Sequence, residues 1–282
     1  GCLCCAVQGD LARSLREMFM RRVKGEVPAF TRVLIESTGL ADPAPILHTL
    51  VSDSVVCERY YLDGVITTVD AVNGAHQLAH HGESRKQAAV ADRIVLTKCD
   101  LAGDDTIRSL KDEIRSLNPG APVSRAVQGR IEPEGLFNCG LYDPSTKSFQ
   151  VQDWLRAEAM VGHEHDHYHH EDVSRHDDHI GSFCLTRDEP LDWAAFIAWI
   201  QTLITQRGDQ LLRVKGIVNI ASEDHPIAIH GIQHLFHNPV RLPHWPDDDR
   251  RTKIVFITKD MDRQVIEGSL DTLQIAATDN PV

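Results

Sequence analysis

The first half of the chain alternates short apolar runs with segments of helical periodicity. Leu11, Leu15, Met18, Phe19 and Val23 recur at helical spacing, which predicts a helix over residues 8–23. The apolar runs have the length of buried strands, and the segments between them have the pattern of amphipathic helices. Such alternation predicts a parallel sheet covered by helices, which binds ligands beyond the carboxyl ends of its strands. The predicted strands are 32–36, 62–69 and 94–96. The other predicted helices are one that begins after Asp42-Pro43, with Asp as the cap and Pro in the first turn, and those over 71–81, 84–91 and 105–117.

The pattern changes after about Phe149. Residues 161–179 contain almost no apolar side chain and alternate His with Asp and Glu, which is typical of a linker. Beyond this segment, the apolar and amphipathic stretches predict a smaller α+β domain. Its expected strands are 182–186, 211–220, 226–232 and 253–258, and its expected helices are 191–204 and 261–273. We therefore divide the chain into a nucleotide-binding domain (1–150), a His-rich linker (151–180) and a C-terminal domain (181–282).

Composition narrows the class of protein. The 282 residues carry 29 Lys and Arg against 41 Asp and Glu, a net charge of −12, which argues against non-specific binding to nucleic acid or anionic membranes. No apolar run approaches the ~18 residues that a membrane span needs. The seven cysteines are an odd number, which makes a poor disulfide framework and favours a reducing compartment. No basic-then-apolar leader is visible, so we expect a cytoplasmic protein.

Three of the cysteines form the first chemical motif. Cys2, Cys4 and Cys5 lie within four residues and can present three sulfurs to one soft metal such as zinc. A fourth ligand could come from a carboxylate, a His or water, and an incomplete set of protein ligands would leave the site exchangeable rather than closed. The alternative is that the three thiols pack as small hydrophobic side chains.

Polar residues follow the first predicted strand. Glu36 suits a site that holds Mg²⁺ or orients a water molecule beside phosphates, and Gly39 lets the backbone approach a ligand closely. A helix cap after a strand gives a similar pattern, so this segment alone leaves both interpretations open.

A second polar turn, Thr97-Lys98-Cys99-Asp100, follows the strand 94–96. The Asp100 carboxylate can accept hydrogen bonds from the N1–H and the exocyclic amine of guanine, and the Lys98 stem can lie along the base. The alternative is a solvated turn in which Asp100 caps the next helix.

Histidines of the linker are the last candidate metal ligands. Alternate residues of an extended chain point the same way, and imidazole is a common metal ligand, so several weak sites are expected rather than one tight site. A solvated linker with incidental metal affinity is the alternative. The histidines are His163, His165, His167, His169, His170, His176 and His179.

These motifs, in this order, resemble the CobW family of metal-handling P-loop GTPases, within the CobW/HypB/UreG superfamily. The resemblance rests on Gly1-Cys2-Leu3-Cys4-Cys5, on Glu36 to Pro43 and on Asp92 to Asp100, followed by the His-rich linker. Segments around Lys215 and Lys253 resemble the C-terminal domain of the family.

The resemblance implies a role for each motif. Cys2, Cys4 and Cys5 would bind Zn²⁺, or Co²⁺ or Fe²⁺, and Glu36 would stand near Mg²⁺ and the attacking water. Thr97, Lys98 and Asp100 would recognise GTP. Because Thr97 stands where many GTPases carry Asn, we expect weaker guanine selectivity.

The family's phosphate loop, G-x-x-x-x-G-K-[ST], does not occur in these 282 residues. Either the chain begins after this loop or the protein has lost it. We expect truncation at the N-terminus, and no GTP hydrolysis by this chain alone.

The intact protein is expected to couple GTP hydrolysis to delivery of a metal to a client metalloprotein, bound through the C-terminal domain. A nucleotide- or metal-dependent homo-oligomer is also expected. The alternatives are a metal buffer or sensor without hydrolysis, and a GTPase that inserts cobalt or iron for cobalamin synthesis or a metalloenzyme.

Overall fold

The computed structural model describes residues 3–139 and 179–278, and within them the side chains of 9–50, 53–139 and 179–272. The chain forms two compact units, one ending at Asp63 and the other beginning at Gly64. Among the described residues, no helix is both long enough and apolar enough to cross a membrane.

The first unit contains three helices, α1 (Leu3–Val23), α2 (Pro43–Ser52) and α3 (Ser54–Arg59). The predicted helix over 8–23 is confirmed and begins five residues earlier. Asp42 caps α2 by accepting from the Ala44 N–H at 3.0 Å, with Pro in the first turn as predicted. A small core holds the helices together, and its buried members are Ala12, Leu15 and Val56.

The strand predicted over 32–36 is wrong. Residues 32–38 have no regular secondary structure, and the exposed fractions of Leu34 and Ile35 are 75% and 42%. A strand requires a ladder partner, and neither sheet of the described residues includes this segment. Of the residues 32–38, Val33 packs against the small core of the unit. An apolar run predicts burial, but here no neighbouring strand supplies it.

A parallel sheet opens the second unit. Its strands are β1 (Ile66–Asp70), β2 (Arg93–Thr97) and β3 (Val123–Arg125), in the order β1-β2-β3. The helices that connect them are α4 (Gly74–His80), α5 (Gly82–Val90) and α6 (Asp104–Leu117). The expected parallel, helix-connected sheet is confirmed. β3 was not predicted, because a strand of three residues is too short to show a period.

An antiparallel sheet of six strands forms the rest of this unit. The order is β4-β9-β5-β6-β7, with β8 paired to β6. Two helices, α7 (Trp193–Arg207) and α8 (Arg263–Thr278), complete the predicted α+β arrangement. The strands are β4 (Ile180–Arg187), β5 (Leu211–Val218), β6 (Ile227–Ile232), β7 (Leu235–Phe236), β8 (Val240–Arg241) and β9 (Thr252–Lys259).

The main core lies between this sheet and α7 and α8. Trp199 and Phe196 of α7 are fully buried, and Phe256 of β9 contacts the rings of Phe183 on β4 and Trp199 on α7. Trp199 Nε1 donates to Ser269 Oγ at 2.8 Å, which satisfies the indole N–H. The opposite face of the sheet carries charged residues of β5, which lie near the helices of the parallel sheet.

Candidate functional site

The carboxyl ends of β1 and β2 meet at one edge of the parallel sheet. The register places Asp70 opposite Thr97, the last residues of the two strands. The Thr97 hydroxyl donates to the Val69 carbonyl at 3.4 Å, and the Ala71 N–H donates to the Thr97 carbonyl at 2.9 Å. These bonds fix the two strand ends against each other, at the edge where ligands bind in sheets of this kind.

Lys98 turns back across this edge toward Asp70. Its φ of 56° lies in the left-handed region, which redirects the chain directly after β2. The Lys98 ammonium donates to Asp70 Oδ2 at 2.7 Å. The side chain of Lys98 is 53% exposed and that of Asp70 is 13% exposed, so the pair lies at the rim of the sheet.

Asp70 also organises the turn after β1. Its Oδ1 accepts from the N–H groups of Val72 at 2.8 Å and Asn73 at 3.3 Å, and its Oδ2 accepts from Asn73 Nδ2 at 3.0 Å. Burial alone raises the pKa of Asp70, but the hydrogen bonds from Lys98, Asn73 and Val72 lower it to about 2. The carboxylate is therefore ionised at neutral pH, and both of its oxygens accept hydrogen bonds from groups of this chain.

Asp100, in contrast, presents its carboxylate to solvent. The turn is closed by the Leu101 N–H, which donates to the Lys98 carbonyl at 3.0 Å. Within 3–139 and 179–278, no hydrogen bond or ion pair engages the Asp100 side chain, which is exposed. It does not cap α6, because the N-cap of that helix is Gly103. Two carboxylate oxygens remain available for an external pair of N–H donors.

Glu36 and Gly39 lie in the first unit. The carboxylate of Glu36 is exposed and has no hydrogen-bond or ion-pair partner among the described side chains. A turn follows it, with the Ala41 N–H donating to the Thr38 carbonyl at 3.0 Å. A Cβ built on Gly39 would meet no atom within 4 Å, so the space beside its Cα is open.

The candidate metal ligands lie largely outside the described part of the chain. Cys4 and Cys5 fall in the first turn of α1, with side chains outside the description, and Cys2 lies outside it altogether. The described side chains contain no group of three or more His, Cys, Asp or Glu able to hold a metal. Of the linker histidines, only His179 is described. The others, His163, His165, His167, His169, His170 and His176, lie outside the described residues.

His179 anchors the start of β4 through its backbone. Its N–H donates to Asp260 Oδ1 at 3.1 Å, and its carbonyl accepts from the Asp260 N–H at 2.8 Å. The imidazole is exposed and takes no part in these bonds, and its role in metal binding stays a prediction.

Two residues of this region were not predicted as site residues. Asp70 follows an apolar strand as Glu36 follows an apolar run, so the same rule applied to residues 66–70 would have found it. Asp92, just before β2, is fully buried between ionic partners that lie more than a hundred residues away. No local pattern indicates those partners.

Two family models match the chain. The model described as CobW/HypB/UreG, nucleotide-binding domain, matches residues 1–125. The model described as cobalamin synthesis protein cobW C-terminal domain matches residues 180–274. The first match includes the polar turn after β2, and the second includes the whole antiparallel sheet.

Curated relatives and solved structures show the same similarity. The zinc chaperone YjiA of Escherichia coli is 31% identical over 274 residues, which cover 97% of this chain and 80% of that protein. The zinc-regulated GTPase metalloprotein activator 1 of Saccharomyces cerevisiae is 27% identical, covering 96% and 68% of the two chains. A crystal structure of the Zn(II)-bound YjiA GTPase superposes with a TM-score of 0.70 at 29% identity, covering 92% of this chain and 76% of that one.

Proposed function

Because the chain belongs to the CobW family, with a CobW/HypB/UreG nucleotide-binding domain followed by a CobW C-terminal domain, we propose that it acts in GTP-dependent zinc delivery. Its relatives include a zinc chaperone and a zinc-regulated GTPase metalloprotein activator. The structural observation that carries the proposal is the turn after β2, where an ionised Asp70 holds Lys98 and Asp100 stays open to solvent.

The guanine base would bind at this turn. The Asp100 carboxylate would accept from N1–H and the exocyclic amine, two donors that adenine does not present together. Lys98 would lay its aliphatic stem along the base while its ammonium stays on Asp70. Thr97, whose hydroxyl is used within the sheet, would contribute less than an amide side chain in that position.

Glu36 would serve the phosphate end of the nucleotide. Its exposed carboxylate, without a partner among the described residues, fits the oxygen ligand that Mg²⁺ prefers. When bound, Mg²⁺ supplies positive charge to the phosphates. The open space at Gly39 leaves room for a ligand to approach the backbone beside it.

The metal cargo would bind to Cys2, Cys4 and Cys5, with the linker histidines collecting metal nearby. Three thiolates suit zinc, and they accept cobalt or iron as well, so supply within the cell would decide between them. If the two nucleotide states bind metal with different affinities, metal must change nucleotide affinity by the same factor. The C-terminal domain would contact the client, and a reducing cytoplasm would keep the thiols available.

The deciding experiment is a zinc and cobalt titration of the protein, compared with a variant carrying Cys2→Ser, Cys4→Ser and Cys5→Ser. Residues 163–176 are deleted from both and His179 is replaced by Gln, so that linker histidines do not contribute while the backbone anchor of β4 is kept. Cys57→Ser is the matched control, because that thiol is exposed and lies outside the motif. Each titration is repeated with GDP and with a non-hydrolysable GTP analogue.

We expect one equivalent of cobalt with a thiolate charge-transfer band, lost in the triple variant and kept in the control. A metal affinity that differs between the two nucleotides supports a chaperone that is switched by GTP. Unchanged binding in the triple variant, or no thiolate band, would overturn the assignment to the cysteines. Equal affinities in both nucleotide states would instead favour a metal buffer.

A further inference from the structure

A buried carboxylate fixes the beginnings of the two strands that lead to the proposed base site. Asp92 directly precedes β2, and its side chain is 1% exposed. Its Oδ2 accepts from the Val65 N–H at 3.0 Å, and its own N–H donates to the Val65 carbonyl at 2.7 Å. Because Val65 directly precedes β1, these bonds clamp the starts of β1 and β2 together.

The other oxygen of this carboxylate is held by the C-terminal sheet. Arg213 Nη2 and Lys215 Nζ, both on β5, reach Asp92 Oδ1, the lysine at 2.9 Å. Their side chains are 3% and 6% exposed. Arg213 Nη1 also donates to the Val90 carbonyl at the end of α5, so one guanidinium binds the chain on both sides of Ala91.

The surrounding charges leave this arrangement ionic at neutral pH. Burial alone raises the pKa of Asp92, but Arg213 and Lys215 hold it far below its usual range. Burial and the neighbouring Arg213 lower the pKa of Lys215 to about 8, which still leaves it mostly protonated. His230 faces Lys215 from β6, and burial lowers its pKa well below the usual value, so it is neutral.

Such a cluster fixes the relative positions of its atoms more than it stabilises the fold. Moving charges out of water costs nearly as much as their attraction returns, so apolar residues of similar volume would often stabilise a fold equally well. An ion pair, however, fixes the positions of specific atoms. Here those atoms join β5 to the starts of β1 and β2, across 121 residues of sequence.

We propose that Asp92 is a positioning residue for guanine recognition, through which the C-terminal sheet sets the place of the turn Thr97–Asp100. The inference rests on the base-binding role proposed above for that turn. β5 holds Asp92, Asp92 holds the start of β2, and β2 carries the turn at its other end. A partner that shifts β5 therefore changes the affinity for guanine nucleotide.

β2 is a short and stiff connection between the two ends. It has five residues, so it spans about 17 Å at the ~3.3 Å rise of a parallel strand. It is hydrogen-bonded along β1 from end to end and to β3 at Ile94 to Leu96. A strand paired on both sides moves as a unit, so a shift at Asp92 reaches Thr97 with little loss.

The test measures base selectivity in the full-length protein. GDP and inosine diphosphate, which lacks the exocyclic amine, are titrated against the wild type, Asp92→Asn and Arg213→Met. Loss of one hydrogen bond to a carboxylate lowers affinity by about ten- to a hundredfold, so the wild type should prefer GDP by a factor in that range. In both variants we expect this preference to fall at least several-fold, because the turn no longer reaches the amine.

The matched control is Asp249→Asn. Asp249 also holds two cations of the C-terminal sheet region, since Lys253 Nζ and Arg251 Nη2 lie 2.7 and 2.8 Å from its Oδ2. The control should lower the melting temperature and leave the preference for GDP unchanged. If Asp92→Asn does not fold, two other variants replace it, Arg213→Lys and the double variant Asp92→Asn/Arg213→Met. Both alter the same contact, and they leave less buried charge without an opposite partner.

The outcomes separate this inference from the proposed function. A wild-type preference that survives in folded Asp92 and Arg213 variants would overturn the positioning role and leave the base site standing. Equal affinities of the wild type for the two nucleotides would overturn both. A purely structural role would reduce the folded fraction and the binding capacity for both nucleotides alike, with their ratio unchanged.

Discussion

Lys98 Nζ and Asp70 Oδ2 lie 2.7 Å apart, across the carboxyl ends of two parallel strands and 28 residues of sequence. The lysine comes from the turn after β2 and the carboxylate from the end of β1. The pair therefore ties the proposed base-recognition turn to the neighbouring strand, and it sets the direction of the lysine stem before any nucleotide arrives. Pre-ordering of this kind reduces the entropy lost on binding.

Asp70→Asn tests the importance of this pair for binding. The amide keeps an oxygen for the Val72 and Asn73 N–H groups but loses the charge that holds Lys98. We expect GDP affinity to fall about three- to tenfold, while the free energy of unfolding falls by about 1 kcal/mol or less, as for other exposed pairs. Fluorescent GDP titration and urea denaturation measure the two quantities.

The control for that variant is Asp104→Asn, which removes the carboxylate 3.6 Å from Arg125 Nη1 in a more exposed pair. GDP affinity should not change there. A decrease of the same size in both variants would show that charge at this edge, rather than the tether on Lys98, controls binding.

Asp100→Asn should exchange the preferred base. Guanine offers an amine at C2 to a carboxylate acceptor, whereas xanthine carries a carbonyl there, which an amide donor can match. We expect GDP affinity to fall about ten- to a hundredfold and xanthosine diphosphate affinity to rise. Competition titrations of both nucleotides measure the exchange. Undiminished GDP binding would exclude Asp100 from base recognition.

Mild acid should destabilise the protein through the histidines beside Asp92. His230 stacks on His237 at 5.0 Å, and burial lowers the pKa of both below the usual value. An unfolded chain takes up these protons near pH 6.5 and the folded chain does not, so stability falls as the pH drops through about 6.5. The slope is at most about 1.4 kcal/mol per pH unit for each histidine.

Urea denaturation between pH 7.5 and 5.5 measures that slope, and His230→Gln is the informative variant. Asp92 stays ionised over this range and Lys215 stays mostly protonated, so a shallower slope in the variant assigns the effect to the imidazole. An unchanged slope would place the titrating group elsewhere.

Gly216→Ala should weaken the contact between β5 and β9. A Cβ at this position would lie 2.6 Å from the Lys253 carbonyl oxygen and 2.8 Å from Ile254 Cα, and backbone atoms do not move aside easily. We expect a loss of about 1–3 kcal/mol in the free energy of unfolding. Gly181→Ala on β4 is the control, because a Cβ there meets no atom within 4 Å. Urea midpoints that are equal for the two variants would contradict the close approach.

Local pattern was sufficient for most of the fold. The strands β5 and β6 were predicted from two apolar runs, and the parallel β1 and β2 from apolar runs separated by helices. Residues 32–36 show where such reasoning fails. An apolar run indicates that burial is favourable, but a strand forms only where another backbone offers its hydrogen bonds.

Some residues of the candidate site could likewise be predicted from the sequence, and others could not. Thr97, Lys98 and Asp100 are contiguous in sequence, so a motif was enough to single them out. The lysine's partner Asp70 and the interactions of Asp92 depend on which strands become neighbours. The otherwise apolar strand β5 carries two charged residues, Arg213 and Lys215. Their presence indicates that a buried partner of opposite charge exists, but it does not indicate which residue that partner is.

The strand order of the C-terminal sheet has a consequence for synthesis on the ribosome. β9 is the last strand in the sequence, yet it lies between β4 and β5, and β4 pairs with no other strand of the described sheet. Until Thr252 to Lys259 have emerged, the apolar side chains of β4 have no ladder to join. A nascent chain therefore carries an exposed, unpaired strand for more than sixty residues of translation, an interval in which a chaperone or a neighbouring nascent chain can reach it.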